Sequence, residues 1–380
     1  MPWNEVRPMD ERIRFALALN SGLYTMTELC ERHGISRKTG HKWADRYHRK
    51  GLEGLAERSR APHTCPHKTP LQVENLITEK RKQKGWGPLK IRHHLARTHP
   101  ELPLPAESTI GDILRRAGLV TPKRTRKKRA HPTARKLSVS SPNQVWTMDF
   151  KGEFRLGNSR YCYPLTVEDA HSRFLLCCHG LNSTAQTGVR PVLDRLFRER
   201  GLPNAIRTDN GSPFASTGHL GLTRLSVWWL KLGIAHQRIS PGQPWQNGRH
   251  ERMHRTLKKA ATIPPESNLK AQQDRFDRFV HEYNMERPHQ SLDGDVPASQ
   301  YKPSSRAMPK RIEKPDYPGH FEVRKVSSSG TIKLRGRIPF IGAALVHEYV
   351  GLEEIDAGIW NVIFYDTLLA RFDENNLKLT

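Results

Sequence analysis

The sequence lacks any apolar run approaching the roughly 18 consecutive residues that a membrane-spanning helix needs. Its first ten residues also lack the apolar core of a secretory signal. Cysteine is scarce: the chain has five, an odd number, and no two are spaced C-x-x-C. The sequence therefore predicts neither a disulfide framework nor a cysteine-based zinc site, and we expect reduced thiols in an intracellular protein.

Acidic residues are few compared with basic ones. The 380 residues include 63 Lys and Arg but 38 Asp and Glu, which leaves a net charge of +25. A field of this strength attracts polyanions, of which nucleic acid is the commonest; a well-solvated surface is the simpler alternative. The segment from residue 305 onward carries 11 basic and 10 acidic residues, so the excess charge lies upstream of it. The length predicts several domains.

Residues 1–60 predict a helix-turn-helix domain. Thr25-Met-Thr-Glu28 has the pattern of a capping box, His33-Gly34-Ile35 forms a turn, and Ser36 caps a basic third helix. A three-helix bundle with a solvated basic face is the alternative. If the third helix reads DNA, the contacts come from the N-terminal part of its exposed face, which carries Arg37, Lys38, His41 and Lys42.

Residues 68–120 predict a second, helix-turn-helix-like domain with helices over 71–84, 88–98 and 108–117, the last capped by Ser108. Residues 121–140 then read as a basic linker, because residues 121–136 include eight basic residues and no acidic one. Such a run repels itself and does not pack alone. We expect it to become ordered on DNA phosphates, although a solvated tether is possible; the proposed contacts are Lys123, Arg124, Arg126, Lys127, Lys128 and Arg129.

Residues 141–302 predict an α/β domain. Strands over 144–151, 161–167 and 174–180 are followed by alternating helices and short strands, the pattern of a mixed sheet flanked by helices. Residues 310–380 alternate apolar and polar positions and contain no good helix, which predicts a small β-barrel. The fold class is thus multidomain: all-α units, then a mixed α/β sheet, then a small all-β domain.

Three carboxylates are candidates for metal chemistry. Asp149 lies within an apolar strand, where a carboxylate needs a partner such as a metal ion. Asp209 ends a short strand, the usual place for ligands in α/β sheets, although Asp-Asn-Gly is also simply a good turn. Glu251 lies in the first turn of a helix and shares a face with His254, Arg255 and Lys258; an ion pair with Arg255 is the plain alternative.

Taken together, these motifs resemble the DDE recombinases, which comprise insertion-sequence transposases and retroviral integrases. The resemblance covers about residues 10–302 and depends on W-T-M-D-F, T-D-N-G-S-P-F, N-G-R-H-E-R-M-H-R-T-L-K and Tyr283-Asn-Met-Glu-Arg-Pro-His-Gln-Ser-Leu. It implies a ribonuclease-H-like core with Asp149, Asp209 and Glu251 as the catalytic, metal-binding triad. The 41 residues between Asp209 and Glu251 exceed the best-known spacing, and we expect an insertion around residues 216–229.

The resemblance also implies the activity and partners. We expect a bacterial DNA transposase that binds the ends of its element and catalyses cleavage and strand transfer. The expected cofactors are two Mg²⁺ or Mn²⁺ ions per site, since carboxylates suit hard cations. Arg255 and Lys258 match positions where integrases place basic residues against the DNA end. Self-association on paired ends, an SH3-like C-terminal barrel, and a cytoplasmic, nucleoid-associated location complete these expectations.

Two other functions stay open at this point. One is a helix-turn-helix regulator with an inactive integrase-like core, against which the three intact acids argue. The other is a nuclease of RNA–DNA hybrids, which would have no use for sequence-specific reading of duplex DNA. Asp169 competes for a place among the metal ligands, but its position before His-Ser-Arg favours a turn that orders Ser172 and Arg173.

Overall fold

The computed structural model describes residues 8–58, 68–120, 139–218, 220–240, 243–376 and 378–379. The chain forms two compact units, Met1–Lys68 and Thr69–Thr380. The linker residues from Lys123 to Arg129, which are predicted to contact DNA, lie outside the residues that the structure describes. Within the described ranges, no helix is both long enough and apolar enough to cross a membrane.

The first unit is the predicted set of three helices: α1 (Pro8–Asn20), α2 (Met26–Arg32) and α3 (Arg37–Lys50). The capping box of α2 is present, since the Thr25 side chain accepts from the Glu28 N–H while Glu28 accepts from the Thr25 N–H. Ser36 caps α3 by accepting from the Thr39 N–H. A small core holds the helices together; it includes Phe15, Leu29, Trp43 and Leu55.

The second unit begins with α4 (Leu71–Lys84), α5 (Pro88–Thr98) and α6 (Glu107–Arg116), close to the predicted bounds. The prediction that Ser108 caps α6 is wrong: the helix starts one residue earlier, at Glu107, and its cap residue is Ala106, which makes no side-chain capping bond. Isoleucines from all three helices meet in one core: Ile77, Ile91, Ile110 and Ile113.

This helical domain is joined to the α/β domain by ionic contacts. Lys84 Nζ lies 2.9 Å from Glu282 and 3.1 Å from Glu286, two residues of the turn that ends helix α10, described below. Arg97 donates to the Glu286 carbonyl at 3.0 Å. These contacts join the ends of α4 and α5 to the turn that follows α10.

The α/β domain contains β1 (Val145–Phe150), β2 (Phe154–Arg155), β3 (Tyr161–Asp169), β4 (Leu175–Leu181), β5 (Ala205–Thr208) and β6 (Ala235–Arg238). The main strands run in the order β4-β3-β1-β5-β6, with β2 on the same side of β3 as β1. The first hairpins are antiparallel, whereas β1–β5 and β5–β6 are parallel. The mixed sheet predicted from the sequence is confirmed, with β1 at its centre.

Helices cover both faces of this sheet. Helices α7 (Gln186–Arg200) and α8 (Arg224–Lys231) pack on one face, where Trp146 and Met148 of β1 enter the core. On the other face lie α9 (Gly248–Ala261) and α10 (Leu269–His281), the latter extended by a π-helical turn, Glu282–Glu286. The short helix α11 (Pro297–Gln300) completes the domain.

The C-terminal region forms an antiparallel sheet from β7 (Glu322–Lys325), β8 (Tyr349–Asp356), β9 (Ile359–Phe364), β10 (Thr367–Asp373) and β11 (Lys378–Leu379). These strands pair in chain order. No pairing joins β7 to β11 among the described residues, so the sheet is open and does not show the predicted barrel. Its core includes Val227 and Leu230 of α8, which fastens the sheet to the α/β domain.

Replacement of two helical glycines by alanine is expected to change the stability of the protein in opposite directions. A Cβ on Gly40 of α3 would overlap the Cys30 sulfur and lie 3.1 Å from the Met26 sulfur, whereas a Cβ on Gly111 of α6 would meet only Pro88, at 3.8 Å. We expect Gly40→Ala to lower the stability of the first unit by about 1–2 kcal/mol because the α2–α3 contact is overpacked. Gly111→Ala should raise the stability of the second unit by up to about 1 kcal/mol, from helix propensity alone.

Differential scanning calorimetry of the full chain measures both variants under one condition. Gly111→Ala serves as the control for the intrinsic gain of replacing glycine in a helix. Equal stabilisation by the two variants would mean that α2 and α3 do not pack this closely.

Candidate active site

Asp149 lies in the central strand of the α/β sheet. Strand β1 pairs antiparallel with β3 and parallel with β5. Because side chains alternate along a strand, Thr147 and Asp149 point away from Trp146 and Met148, toward α9. The Asp149 side chain is 19% exposed, so its carboxylate lies at the rim of the buried region.

Asp209 follows the neighbouring strand, β5. The parallel register pairs Thr147 with Arg207, and continuing it by two residues brings Asp209 beside Asp149. The turn after Asp209 is fixed locally: the Gly211 N–H donates to Asp209 Oδ1 at 3.1 Å, and the Asn210 amide donates to the Ile239 carbonyl at 2.8 Å. A Cβ on Gly211 would lie 3.1 Å from the Asp209 carboxylate, so glycine permits this close turn.

Glu251 lies in the first turn of α9 and is exposed. The residue that begins this helix, Asn247, donates from Nδ2 to Asp149 Oδ2 at 3.1 Å. The start of α9 is therefore bonded directly to the carboxylate on β1. This contact places Glu251 on the same side of the sheet as Asp149.

The negative charges of Asp209 and Glu251 both act on Asp149. The pKa of Asp149 is raised from 3.8 to about 7, chiefly by burial and then by the negative charge of Asp209. The Phe150 N–H lowers this pKa, Glu251 raises it further, and Lys151 lowers it slightly. The negative charges of both other acids thus repel the Asp149 carboxylate, and the positive charge that the chain supplies does not compensate for them. A divalent cation would supply that charge.

Two histidines of α9 form a polar cluster that the sequence reasoning missed. The Thr166 hydroxyl on β3 lies 2.7 Å from His250 Nε2, 2.7 Å from His254 Nε2 and 2.9 Å from the Asp149 carbonyl. The second nitrogen of His250, Nδ1, lies 2.9 Å from the Thr147 hydroxyl. The signal in the sequence is the H-E-R-M-H spacing, since residues four apart share a helical face.

Glu168, a buried acid of β3, borders this cluster. One carboxylate oxygen lies 3.8 Å from His250 Nδ1 and accepts no hydrogen bond within the described structure. Burial raises the pKa of Glu168 to about 8, despite the opposing charge of Arg173. Burial thus favours the uncharged form of the Glu168 carboxyl.

The predicted cationic face around Glu251 needs one correction. His254 does not lie outward with Arg255 and Lys258: it is 8% exposed and packs against Thr166. Burial, reinforced by Lys151, lowers the pKa of His254 to about 3, so the imidazole is neutral. Arg255 and Lys258 are exposed, and neither forms an ion pair with Glu251 in the described part of the chain.

The competing acid, Asp169, orders a turn. Its Oδ1 accepts from the backbone N–H and hydroxyl of Ser172, at 2.7 and 2.6 Å, and its Oδ2 accepts from the Asn143 N–H at 2.7 Å. It pairs across the ladder with Trp146, at the opposite end of β1 from Asp149. Its oxygens are thus occupied by the turn, away from Asp149.

The predicted base-reading residues lie on the solvent side of α3. Arg37, Lys38, His41 and Lys42 are all exposed. Lys42 Nζ lies 4.8 Å from the centre of the Trp43 ring, a cation–π distance, so this side chain also covers the core. The first unit presents a basic helix face to solvent.

Sequence comparison identifies the domains. Two Integrase core domain families match residues 139–244 and 232–297. A Helix-turn-helix domain family matches residues 11–63, and a Homeodomain-like domain family matches residues 39–114. Asp149 and Asp209 lie within the first of the integrase core matches, and Glu251 lies within the second.

Relatives come from mobile elements. The chain is 32% identical over 235 residues to an uncharacterized 39.2 kDa protein of insertion element IS476 from Xanthomonas euvesicatoria, a match that covers 60% of this chain and 64% of the relative. It is 28% identical over 191 residues to an uncharacterized 31.7 kDa protein of IS407 from Burkholderia multivorans, covering 49% and 65%. The chain thus spans just under two thirds of both relatives. Retroviral Pol polyproteins match 32% to 51% of this chain.

Among solved structures, the HTLV-2 integrase catalytic core domain in complex with magnesium is 16% identical and covers 44% of this chain and all of that one, with a TM-score of 0.34. At that score the likeness supports no conclusion. The identification depends instead on the matched domains and the insertion-element relatives. The chain combines an integrase core with helix-turn-helix domains and is homologous to insertion-element proteins and retroviral integrases, consistent with a DDE transposase.

Proposed function

We propose that this chain is a DNA transposase that binds the ends of its element and catalyses metal-dependent cleavage and strand transfer. Asp149, Asp209 and Glu251 are the proposed catalytic and metal-binding residues. The observation that carries this proposal is geometric: Asp149 and Asp209 follow one another across the parallel strands β1 and β5, and Asn247, at the start of the helix that bears Glu251, donates to Asp149. The integrase-core matches and the insertion-element relatives support the same reaction class.

The residues fit Mg²⁺ or Mn²⁺, because the converging acids offer carboxylate oxygens. Two such ions, when bound, supply the activation of water or a DNA 3′-hydroxyl and the stabilisation of the leaving oxygen. The chain's own part is positional. Asn247 orients the Asp149 carboxylate, and the Gly211 N–H orients that of Asp209.

The proposed DNA contacts lie on separate elements. Arg255 and Lys258 are exposed on the helix that carries Glu251, where they suit DNA phosphates close to the reacting bond. Arg37, Lys38, His41 and Lys42 suit base readout of the element ends by α3. The linker residues Lys123, Arg124, Arg126, Lys127, Lys128 and Arg129 suit contact with phosphates of any sequence.

The proposed domain division is 1–60 and 68–120 for the helix-turn-helix units, 121–140 for the linker, 141–302 for the catalytic core and 310–380 for the β-rich domain. We further propose self-association on paired ends, since one triad per chain provides one active site while two ends need joining. The C-terminal domain, proposed as a small SH3-like barrel, would contact DNA or a neighbouring subunit there. The proposed location is the bacterial cytoplasm, at the nucleoid.

Replacing any triad acid by its amide should abolish cleavage and joining while leaving DNA binding nearly intact. The variants are Asp149→Asn, Asp209→Asn and Glu251→Gln, and the expected loss is at least about 10³-fold because metal binding fails. Nicking and strand transfer on labelled element ends measure activity, and gel shift measures binding.

The matched control is Glu153→Gln, an exposed acid four residues beyond Asp149. It should retain full activity. A triad variant that keeps substantial activity with Mg²⁺ removes that residue from the triad, and wild-type protein inactive with every divalent ion would favour the inactive-core regulator.

Asp149→Asn should also stabilise the metal-free protein. The pKa of Asp149 is raised in the folded chain, so ionisation of this carboxyl lowers the free energy of unfolding. The protein has its full stability below the ordinary pKa of 3.8 and loses part of it as the pH rises through about 7. We therefore expect Asp149→Asn to raise the unfolding free energy by about 1–4 kcal/mol at pH 8, and by less at pH 5.

Thermal unfolding with and without Mg²⁺ measures this effect. Added Mg²⁺ should raise the melting temperature of the wild type and leave that of Asp149→Asn unchanged. A lower stability of the metal-free variant at pH 8 would show that the carboxylate is adequately compensated by the chain itself.

The two basic regions should respond differently to neutralisation. Replacing Arg37, Lys38, His41 or Lys42 by Ala should weaken binding to the element ends by about 1–3 kcal/mol where the side chain reads a base. Neutralising residues 123–129 should weaken binding to every sequence and flatten its salt dependence. Fluorescence anisotropy on specific and random duplexes at several salt concentrations distinguishes them; identical effects of both sets on both duplexes would contradict the division.

A further inference from the structure

The hydrogen bonds around Thr166 determine which nitrogen of His254 carries a proton. The Thr166 hydroxyl has one proton to donate and two lone pairs to accept with. Its three partners are the Asp149 carbonyl at 2.9 Å and the Nε2 atoms of His250 and His254, each at 2.7 Å. A carbonyl only accepts, so all three bonds form together only if Thr166 donates to Asp149 and both Nε2 atoms donate to Thr166.

This assignment leaves a lone pair on His254 Nδ1. A neutral imidazole that donates from Nε2 carries no proton on Nδ1. Nδ1 lies 4.0 Å from Asp149 Oδ2, which is too far for a hydrogen bond. Two electron-rich atoms therefore lie near each other, with no proton between them. Ligand bonds of about 2.1 Å let one cation reach both atoms.

The neighbouring histidine does not share this property. His250 donates from Nε2 to Thr166 at 2.7 Å, and its Nδ1 accepts from the Thr147 hydroxyl at 2.9 Å, a shorter contact than that hydroxyl makes with the Glu168 carbonyl at 3.2 Å. Both of its nitrogens are occupied, so His250 has no free lone pair although its ligand atom lies within 4.8 Å of those of Asp149 and His254. The H-E-R-M-H segment thus offers a metal ion one imidazole nitrogen, whereas the helix of a zinc protease offers two histidine ligands.

We propose that His254 Nδ1 is a ligand of the divalent ion held by Asp149, so that the site contains a nitrogen donor in addition to its carboxylates. This inference rests on the proposed function, since it assumes that Asp149 binds a metal. Imidazole favours later transition metals, whereas all-oxygen sites suit Mg²⁺. The site should therefore prefer Mn²⁺ over Mg²⁺ more strongly than carboxylates alone would.

Electron spin-echo envelope modulation of Mn²⁺ added to the full chain tests this contact without any activity assay. We expect modulation from one directly bound ¹⁴N in the wild type, replaced by the ¹⁵N pattern when histidine is ¹⁵N-labelled. Bound Mn²⁺ without nitrogen modulation in the wild type would overturn the proposal. This outcome needs no variant, so it holds even if a substitution prevents folding.

Two adjacent buried histidines provide a matched pair of variants. His254→Gln should remove the nitrogen modulation and weaken Mn²⁺ binding by about tenfold or more, with a smaller loss for Mg²⁺. His250→Gln should lower the melting temperature yet keep the modulation. Modulation that survives in His254→Gln, or disappears in His250→Gln alone, would refute the assignment to His254.

Asp149→Asn separates this inference from the proposed function. If Mn²⁺ binds through oxygen alone and Asp149→Asn abolishes binding, the metal site stands and the histidine ligand is wrong. If Asp149→Asn binds Mn²⁺ as the wild type does, the metal site itself is wrong, and the inference fails with it.

Discussion

The structure depends on one unfavourable placement: a carboxylate at the end of the central strand of the sheet, beside two other acids. Strand β1 is covered on both edges by β3 and β5, so Asp149 is largely shielded from water, and the charges of Asp209 and Glu251 add to the cost. In return the chain supplies hydrogen bonds from the Asn247 amide and the Phe150 N–H, and the charge of Lys151. The same arrangement that destabilises the metal-free fold would give a divalent cation held by Asp149 its binding energy.

Short sequence patterns made much of the fold predictable. Alternation along β1 assigns Trp146 and Asp149 to opposite faces, and the capping box at Thr25 and the cap at Ser36 fix two helix starts within a few residues of sequence. The order of strands and helices from β1 to α10 follows from such short-range patterns. Ser108 shows their limit: a serine at the right distance from a helix is not its cap when the chain already turns at Ala106.

The histidine–threonine cluster was beyond those patterns. Helical periodicity predicts that His254 shares a face of α9 with Glu251, Arg255 and Lys258. It does not fix the rotation of the helix about its axis. That rotation depends on Thr147 and Thr166, which are 84 to 103 residues distant from the histidines they contact. Neither threonine carries a charge, and Thr166 lies outside the motifs that indicate the active site, so no local pattern connects them with α9.

The long segment between Asp209 and Glu251 joins the α/β domain to the C-terminal sheet. Its helix α8 contributes Trp228 and Trp229 to the core of the α/β domain, while Val227 and Leu230 enter the core of the C-terminal sheet. Lys231 reinforces the junction through a 2.7 Å ion pair with Glu348. One short helix therefore belongs to two cores, and it lies in the stretch of chain that connects the second acid to the third. Because packed cores resist small shifts, α8 fixes the C-terminal sheet firmly against the α/β domain.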